Sequence, residues 1–216
     1  MKVILVSALL LCCLNASAQI QEQKDGQIVA SVHDRMLTCY AYQQKSNWCW
    51  AASLQMVLAY YKIPVTQQAL VKRAFGSTEN RAASAQEMAK TLDGFRKGKK
   101  QVFCTADSVI DFRQLVDQIQ EGHPVVVGMA FQGEQHAMVL TKIFFQADEE
   151  QVGKIHPAQV LVVDPSRQFL KERRFSWAEF CRMLNMTLRI NVKKLTQTKK
   201  GGRPSRVSRF FFFYSI

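Results

Sequence analysis

Three residues of this 216-residue chain, Cys49, His136 and Asp164, carry side chains that together could perform nucleophilic catalysis. Cys49 is followed by the small residues Ala51 and Ala52 at the start of a predicted helix. The positive end of a helix dipole and its unpaired N–H groups favour a thiolate, which is the species that attacks a carbonyl carbon. The same N–H groups can stabilise the oxyanion of a tetrahedral intermediate.

His136 and Asp164 each lie at the end of a predicted strand. His136 opens the strand Ala137–Phe145, where its ring can project from the rim of a sheet and accept the thiol proton. Asp164 follows the strand Val160–Val163, and Pro165 stops strand pairing there. If the two strands are neighbours, Asp164 can orient the imidazole and stabilise its charge. Singly, each residue has an ordinary structural explanation, but the order Cys, His, Asp on these elements favours catalysis.

Apolar spacing and capping signals predict three successive helices between residues 47 and 92, ahead of the predicted strands. Pro64 ends the first helix, Thr66 caps the second and Gly76 stops it. Ser84 and Ser176 each precede a glutamate by three residues, which is the capping-box spacing. The predicted helices cover residues 47–61, 66–75, 84–92, 108–120 and a segment from 176 to 184.

The second half is rich in short apolar runs that predict strands at Val125–Phe131, Ala137–Phe145 and Val160–Val163. Gln132-Gly133 offers a turn, so the first two strands should form a hairpin, whereas the polar segment 146–159 is a longer connection. Helices followed by an antiparallel sheet describe an α+β domain.

The N-terminal segment predicts export. Residues 1–18 combine Lys2, a short apolar run and the small-residue site Ala16-Ser17-Ala18, and are interpreted as a cleaved signal peptide of a secreted or periplasmic protein. A lipoprotein anchor at Cys12 or Cys13 is the alternative. The expected organisation then has a flexible lead-in or short pro-segment (19–35), the domain that carries the three candidate residues (36–190), a basic polar segment (191–208) and a terminal strand (209–216).

Charge and cysteine content limit the partners and cofactors. The net charge of +12 is concentrated late in the chain and suits, at most, weak attraction to anionic surfaces. The predicted export and the lack of a recognisable nucleic-acid-binding motif argue against specific nucleic-acid binding. No clustered ligands predict a metal site, and no cofactor is expected. If Cys49 is a free nucleophile, at most one internal disulfide can form among Cys39, Cys104 and Cys181, and we expect a monomer.

Four features together resemble a known group of enzymes. They are the pattern Gln–x5–Cys-Trp-Ala-Ala, a helix ending in Gly-His-Pro-Val-Val-Val, a strand that opens with His and a strand that ends in Asp-Pro. The set is similar to the compact papain-superfamily cysteine peptidases of the bacteriocin-leader-processing type, their secreted bacterial relatives and bacterial effector proteases of similar pattern. The resemblance covers roughly residues 40–184.

This resemblance implies a two-lobed papain-like fold, with the nucleophile on an N-terminal helical lobe and the base on a C-terminal antiparallel sheet lobe. It implies hydrolysis of a peptide or protein by Cys49, His136 and Asp164, with Gln43 as an oxyanion-hole donor; the adjacent Gln44 is the alternative donor. The sequence departs from papain itself, because Asn47-Trp48 precede the cysteine and the histidine lies closer to it. These departures favour the compact branch.

Two other functions fit the same residues. Transglutaminase-like acyl transferases also use Cys, His and Asp in this order, and differ in passing the acyl group to an amine. A catalytically silent, toxin-like binding module would keep the fold and use its basic surface. Transfer products formed in the presence of amines would identify an acyl transferase. A Cys49→Ser variant that loses no activity would identify a catalytically silent module.

Overall fold

The computed structural model describes residues 19–22, 27–108, 111–131, 133–147 and 155–195. Three predicted segments therefore lie outside the described residues: the signal peptide, the part of the basic polar segment from residue 196 onward, and the terminal strand.

Four of the six described helices lie before residue 93, and side-chain caps set several helix ends. Thr66 accepts a backbone N–H at the start of one helix, and Gly76 ends it in the left-handed conformation with φ 78°. Ser84 and Ser176 each form the predicted capping box with the glutamate three residues on. The helices are α1 (His33–Leu37), α2 (Cys49–Tyr60), α3 (Gln67–Phe75), α4 (Ala85–Leu92), α5 (Phe112–Gln120) and α6 (Trp177–Met183). Among the described helices, none is long and apolar enough to cross a bilayer.

The described strands form one antiparallel sheet. They are β1 (Gln19–Glu22), β2 (Gln27–Ser31), β3 (Arg96–Lys97), β4 (Lys100–Asp107), β5 (Val125–Phe131), β6 (Glu134–Ala147), β7 (Ile155–Val163), β8 (Glu172–Ser176) and β9 (Leu184–Lys194). Their order is β1-β2-β6-β5-β9-β4-β3, with β7 paired to both β6 and β8. The α+β class and the arrangement of a helical lobe against an antiparallel sheet are confirmed.

Two strand pairings that position the site agree with the prediction. β5 and β6 form the expected hairpin, in which Phe131 pairs with Glu134 and Met129 with His136. β6 also pairs with β7, so that Val139 lies opposite Val163. The strand that carries His136 and the strand that leads into Asp164 are therefore neighbours.

Helix α2 is the centre of the core. Ten of its twelve residues are buried, and apolar side chains such as Leu54 and Leu58 pack in one cluster with the sheet residues Val125 and Val139. The buried Ser53 hydroxyl donates to the carbonyl of Ala137 on β6 at 3.1 Å. The described cysteines, Cys39, Cys49, Cys104 and Cys181, are all free thiols. Apolar burial rather than a disulfide joins helices to sheet across this part of the chain.

The segment 19–35, expected to be a flexible lead-in or a short pro-segment, forms β1, β2 and the start of α1 in its described residues; the flexible lead-in is therefore wrong for those residues, and the pro-segment stays a prediction. Within this segment β1 pairs with β2, β2 pairs with β6, and Val29 and Ala30 are buried. The segment looked weakly patterned because its hydrogen bonds go to a strand more than a hundred residues away, which local periodicity does not reveal.

Three further expectations need correction. Helix α5 begins after Asp111, whose side chain caps it, and not at residue 108. The structure has strands β3, β4, β8 and β9 where no strand was predicted. Because β9 runs to Lys194, the sheet extends past the predicted domain end at residue 190 and takes in the start of the basic segment.

Candidate active site

Cys49 is the first residue of α2 and is 7% exposed. The residue before it, Trp48, has no side-chain acceptor with which to cap the helix. The first helical hydrogen bond runs from the Ala52 N–H to the Trp48 carbonyl. The backbone N–H groups at the start of α2 therefore have no partner within the helix and surround the thiol with positive dipole ends.

The structure brings Cys49, His136 and Asp164 together. Cys49 and His136 line the same cavity, and the Cys49 Sγ accepts the backbone N–H of Ala137, the residue that follows His136, at 3.5 Å. His136 Nε2 lies 2.7 Å from Asp164 Oδ1. Since Asp164 occupies Nε2, Nδ1 is the ring nitrogen left for the thiol. In such an arrangement an imidazole could exchange a proton with sulfur while the carboxylate fixes the orientation of the ring.

The charge state of His136 is set by its two partners. Burial acts to lower the pKa of His136, but hydrogen bonds to Asp164 and Cys49 and the charges of those groups raise the pKa to about 9. The protonated ring is therefore favoured at neutral pH when the sulfur opposite is a thiolate.

Asp164 is fully buried and receives three hydrogen bonds. Burial acts to raise the pKa of Asp164, but the bond and charge of His136, the backbone N–H of Ser166 and the guanidinium of Arg173 together lower it. Ser166 N lies 2.8 Å from Oδ1, and Arg173 Nη1 lies 3.1 Å from Oδ2. The carboxylate stays ionised without contact with bulk water because these donors replace water.

Arg173 and Ser166 were not singled out from the sequence. Ser166 could have been found, because an aspartate often accepts the N–H two residues on in a turn. Arg173 had no such signal, since it lies on the unpredicted strand β8. Its guanidinium packs over three aromatic rings, Phe131 at 4.5 Å, Phe169 at 4.8 Å and Phe175 at 5.2 Å. Phe169 also contacts the His136 ring, with 6.4 Å between ring centroids.

The segment before Cys49 is bonded to the loop that holds Asp164. The Tyr40 hydroxyl donates to the Asp164 carbonyl at 2.9 Å, and the Gln43 N–H donates to the Pro165 carbonyl at 2.9 Å. These bonds couple the nucleophile side of the site to the carboxylate side.

Gln43 and Gln44 face different neighbours. The Gln43 Nε2 donates to the carbonyls of Lys45 and Ser46, at 3.2 Å and 2.8 Å, and its Oε1 is buried without a partner among the described residues. The exposed Gln44 side chain accepts from Gln68 on α3. Gln44 is thus engaged with a helix remote from the thiol, whereas Gln43 lies in the loop that leads to Cys49.

Four unpredicted hydrogen bonds hold the residues around Cys49 in place. Gln67 is fully buried, accepts the Gln44 N–H at 2.9 Å and donates to the Tyr42 carbonyl at 2.8 Å. The indole N–H groups of Trp48 and Trp50 donate to backbone carbonyls of residues 79 and 81. Both tryptophans are only 1% exposed, so both flanking rings are core residues, although Trp50 also reaches the wall of a cavity next to the thiol.

This cavity, of about 490 Å³, opens between the helical lobe and the sheet, and both Cys49 and His136 line it. Its volume falls within the range of about 300–1,000 Å³ that ligand sites occupy. Across the described residues no cluster of His, Cys, Asp and Glu could hold a metal ion. The remaining buried histidine, His33, bonds to Thr141 at 2.9 Å and Glu172 at 3.1 Å, away from the thiol.

Comparison with known proteins gives one family and several similar folds. The model of the Peptidase_C39 like family matches residues 36–183, which is more than half of the chain. No curated protein gave a significant match.

Among solved structures, the chain is similar to the peptidase domain of Streptococcus ComA, a bifunctional ABC transporter involved in a quorum-sensing pathway. The two share 15% identity over 69% of this chain and 95% of that domain, with a TM-score of 0.50. The peptidase domain of Streptococcus mutans ComA shares 12% identity over 70% of this chain and 98% of that one, with a TM-score of 0.43. UfSP from C. elegans shares 14% identity over 71% of this chain and 32% of that one, with a TM-score of 0.47. At these identities the first similarity concerns the fold alone.

Proposed function

The chain belongs to the Peptidase_C39 like family and is a cysteine-type peptidase acting on a peptide or protein; from that premise we propose that Cys49 is its nucleophile, His136 its general base and acid, and Asp164 the residue that orients His136. The observation that carries this proposal is that His136 Nε2 lies 2.7 Å from Asp164 Oδ1 while Cys49 lines the same cavity as His136 and its Sγ accepts the N–H of the next residue, Ala137, at 3.5 Å.

In this mechanism the Cys49 thiolate attacks the carbonyl carbon of the scissile peptide bond while His136 holds the thiol proton. The C–N bond of the resulting tetrahedral intermediate then breaks, and His136 gives its proton to the leaving amine. A water molecule hydrolyses the remaining thioester, with His136 now taking the proton of the water. Asp164 stays ionised throughout and stabilises the imidazolium.

We assign the stabilisation of the oxyanion to the Cys49 backbone N–H and the Gln43 side chain. The Cys49 N–H lies at the uncapped start of α2, where a helix leaves its N–H groups free for an anion. Gln43 Nε2 donates to two loop carbonyls in the free protein. The substrate oxyanion would replace one of those acceptors.

Alkylation of Cys49 by iodoacetamide tests the proposal. Wild-type protein should be modified at Cys49 rapidly at neutral pH, and His136→Ala should be modified far more slowly, because the unassisted thiol is mostly protonated. The partly buried thiol Cys39 serves as the internal reference, and its rate of modification should be the same in both proteins. Equal Cys49 rates in the two proteins would refute an activated thiol–imidazole pair. Peptide hydrolysis should be lost in Cys49→Ala, and formation of amide products from an added amine would indicate acyl transfer instead.

Export is a separate proposal. Cleavage after Ala18 would leave Gln19 as the first residue, and Gln19 is also the first residue of β1. Expression of the whole chain in a bacterium, followed by mass measurement of the periplasmic or secreted protein, should give a product that begins at Gln19. Full-length protein retained in the cytoplasm would refute the proposal, and a lipid-modified Cys12 or Cys13 would replace it with membrane anchoring.

A further inference from the structure

Exposed cations gather at one edge of the sheet, where the hairpin of β3 and β4 lies beside the end of β9. They come from β3, from the turn that follows it and from the last two residues of β9, and all of them are exposed. This set is called the basic edge below, and it consists of Arg96, Lys97, Lys99, Lys193 and Lys194.

No carboxylate among the described residues neutralises the basic edge. None of its five side chains forms an ion pair within the described part of the chain. The sequence has no Asp or Glu between Gly94 and Ala106, and none after Glu179. The ammonium of Lys193 lies instead over the ring of Phe103, 5.3 Å from its centroid. The positive charges of this edge are therefore available to an anionic partner.

The strand register sets like charges against each other here. Lys100 lies directly opposite Lys97 on β3 and Lys194 on β9. Like charges directly opposite each other destabilise an antiparallel sheet. Lys100 escapes part of the repulsion, because its ammonium donates to the Tyr61 carbonyl at 2.6 Å. The fold thus keeps an arrangement that works against its own stability, which indicates a use outside the fold.

Protection of the sheet edge explains only part of this set. Charged residues on an edge strand prevent edge-to-edge pairing of sheets, and Arg96 and Lys97 on β3 are in that position. Lys193 and Lys194 are not, because β9 lies two strands further in. The charge therefore extends over more of the sheet than edge protection requires.

Exposed apolar side chains lie among these cations. Phe103 on β4 is 42% exposed, and Leu195, which follows β9, is 38% exposed. The Leu195 N–H donates to the Lys99 carbonyl, so this side chain belongs to the same edge. At the surface of an anionic bilayer, cations meet lipid phosphates while apolar and aromatic side chains enter the boundary between headgroups and acyl chains.

The sequence beyond Leu195 has the same composition. It adds five cations and no Asp or Glu before the run Phe210–Phe213. The cations are Lys199, Lys200, Arg203, Arg206 and Arg209. A nucleic acid would attract the cations equally well, and its bases stack on aromatic rings. Leu195 has no stacking face, whereas a lipid interface accepts it together with the rings, so the combination favours a bilayer.

We propose that the basic edge is a docking surface for an anionic lipid bilayer, with Phe103 and Leu195 meeting the headgroup region. The proposal goes beyond the catalytic assignment and does not depend on it. β4 begins at the basic edge with Lys100 and reaches the catalytic cavity at Ala106, roughly 20 Å away at about 3.4 Å per residue. Docking by this edge would hold the cavity near the lipid surface without covering it.

Co-sedimentation with lipid vesicles tests the proposal, using protein that begins at Gln19 and keeps every described residue. Anionic vesicles contain phosphatidylglycerol and phosphatidylcholine in equal parts, and neutral vesicles contain phosphatidylcholine alone. The protein should bind the anionic vesicles at low salt and leave the neutral ones unbound. Raising the salt to about 1 M should release it, because the Debye length then falls to about 3 Å.

Two double variants with the same net charge locate the surface. Arg96→Gln with Lys193→Gln removes two cations of the basic edge, and Lys72→Gln with Arg182→Gln removes two exposed cations on α3 and α6. The first should weaken binding to anionic vesicles about 10- to 30-fold, because each cation near such a surface contributes about fivefold. The second should weaken binding less than about threefold, because charges beyond a Debye length are screened. Both should keep the wild-type rate of Cys49 alkylation by iodoacetamide, which shows that they are folded.

Four outcomes would overturn the docking surface. Equal weakening in the two double variants would mean attraction by net charge alone, and unchanged binding of Arg96→Gln with Lys193→Gln would place the contact elsewhere. Equal binding to neutral vesicles would mean apolar insertion without charge recognition. Salt-sensitive binding to a single-stranded oligonucleotide without binding to vesicles would assign the edge to nucleic acid. None of these outcomes changes the assignment of Cys49, which the alkylation experiment tests separately.

Discussion

At the scale of single residues, Asp164 is where most of the polar contacts of the site meet. It is fully buried and lies between the imidazole of His136 and the guanidinium of Arg173. A buried carboxylate with one cation on each side keeps its charge and its orientation, because rotation would break bonds on both oxygens. Three phenylalanine rings in turn hold Arg173 in place.

The pH dependence of Cys49 reactivity follows from the raised pKa of His136. The His136 ring, which protonates the leaving amine in the proposed mechanism, should stay protonated through neutral pH and lose its proton as the pH rises through about 9. The hydrolysis rate, measured as kcat/KM against pH, should therefore fall on an alkaline limb in that range. In Asp164→Asn this limb should move to lower pH, because the variant lacks the carboxylate charge that raises the pKa of His136. An unmoved limb would contradict the assigned cause.

The same shift affects stability. Because the folded protein holds the proton of His136 more tightly than the unfolded chain does, the stabilisation is fully present below the ordinary pKa of 6.5 and is lost as the pH rises through about 9. The urea midpoint of wild-type protein should fall over this interval, and the fall should be smaller in His136→Gln.

Arg173 should matter to stability far more than its neighbour. Replacing Arg173 by Met leaves Asp164 buried without one of its cations and should lower the free energy of unfolding by about 3 kcal/mol. Arg174 bonds to Gln159 on the exposed surface, so Arg174→Met should cost less than about 1 kcal/mol. Urea unfolding of both variants at pH 7 makes the comparison, and equal losses would contradict the role given to Arg173.

Gln43 and Gln44 provide a matched pair for the oxyanion assignment. Gln43→Ala should lower kcat about 100- to 1,000-fold, the usual cost of removing one oxyanion donor. Gln44→Ala should change kcat little, because its side chain faces Gln68. Steady-state kinetics of both variants with one peptide substrate test this assignment. A larger decrease of kcat in Gln44→Ala than in Gln43→Ala would reverse it.

At the scale of elements, the helix that carries the nucleophile begins without a side-chain cap. Helices α3, α4, α5 and α6 each begin at such a cap, whereas α2 begins at Trp48 with none, as does the five-residue helix α1 at Val32. A missing cap is unfavourable for an isolated helix. At this position it leaves N–H groups available for the thiolate and the oxyanion, which illustrates why departures from local rules concentrate at functional sites.

The cap at α4 should have a measurable energetic role. Ser84→Ala removes the capping box and should lower the free energy of unfolding by about 1 kcal/mol. Ser77→Ala, at an exposed serine that caps no helix, should stay within about 0.5 kcal/mol of wild type. Urea denaturation measures both, and similar losses would show that the cap contributes nothing specific.

At the scale of the whole molecule, the last described strand is central to the sheet although it comes last in the described chain. β9 lies between β5 and β4, and the family match stops one residue before it begins. The buried residues Leu188 and Ile190 on β9 belong to the main core. The domain therefore needs a strand outside the matched residues.

Truncation tests this requirement. A chain that ends at residue 183 leaves β4 and β5 without their shared partner and should show no cooperative unfolding transition. A chain that ends at Leu195 keeps every described element and should unfold cooperatively near the wild-type midpoint. Circular dichroism during urea denaturation distinguishes the two, and cooperative unfolding of the shorter chain would contradict the central role of β9.

The sequence by itself determined the local features of this protein. The bounds of α3 and α4, the capping boxes at Ser84 and Ser176 and the β5–β6 hairpin agree with prediction, because caps and tight turns depend on hydrogen bonds between residues only a few positions apart. The residue types and order of Cys49, His136 and Asp164 were also sufficient to identify them as candidates, since the chemistry of a thiol, an imidazole and a carboxylate does not depend on the fold.

Tertiary structure alone decided what those candidates touch. The pairing of β2 with β6, the central place of β9, the bond from Arg173 to Asp164 and the cavity against Gly128 all join segments far apart in the chain. Such contacts form only when the strands pair into the sheet and the helices pack against it, excluding water. No local pattern records them, because the free energy that stabilises them comes from burial and pairing across the whole fold.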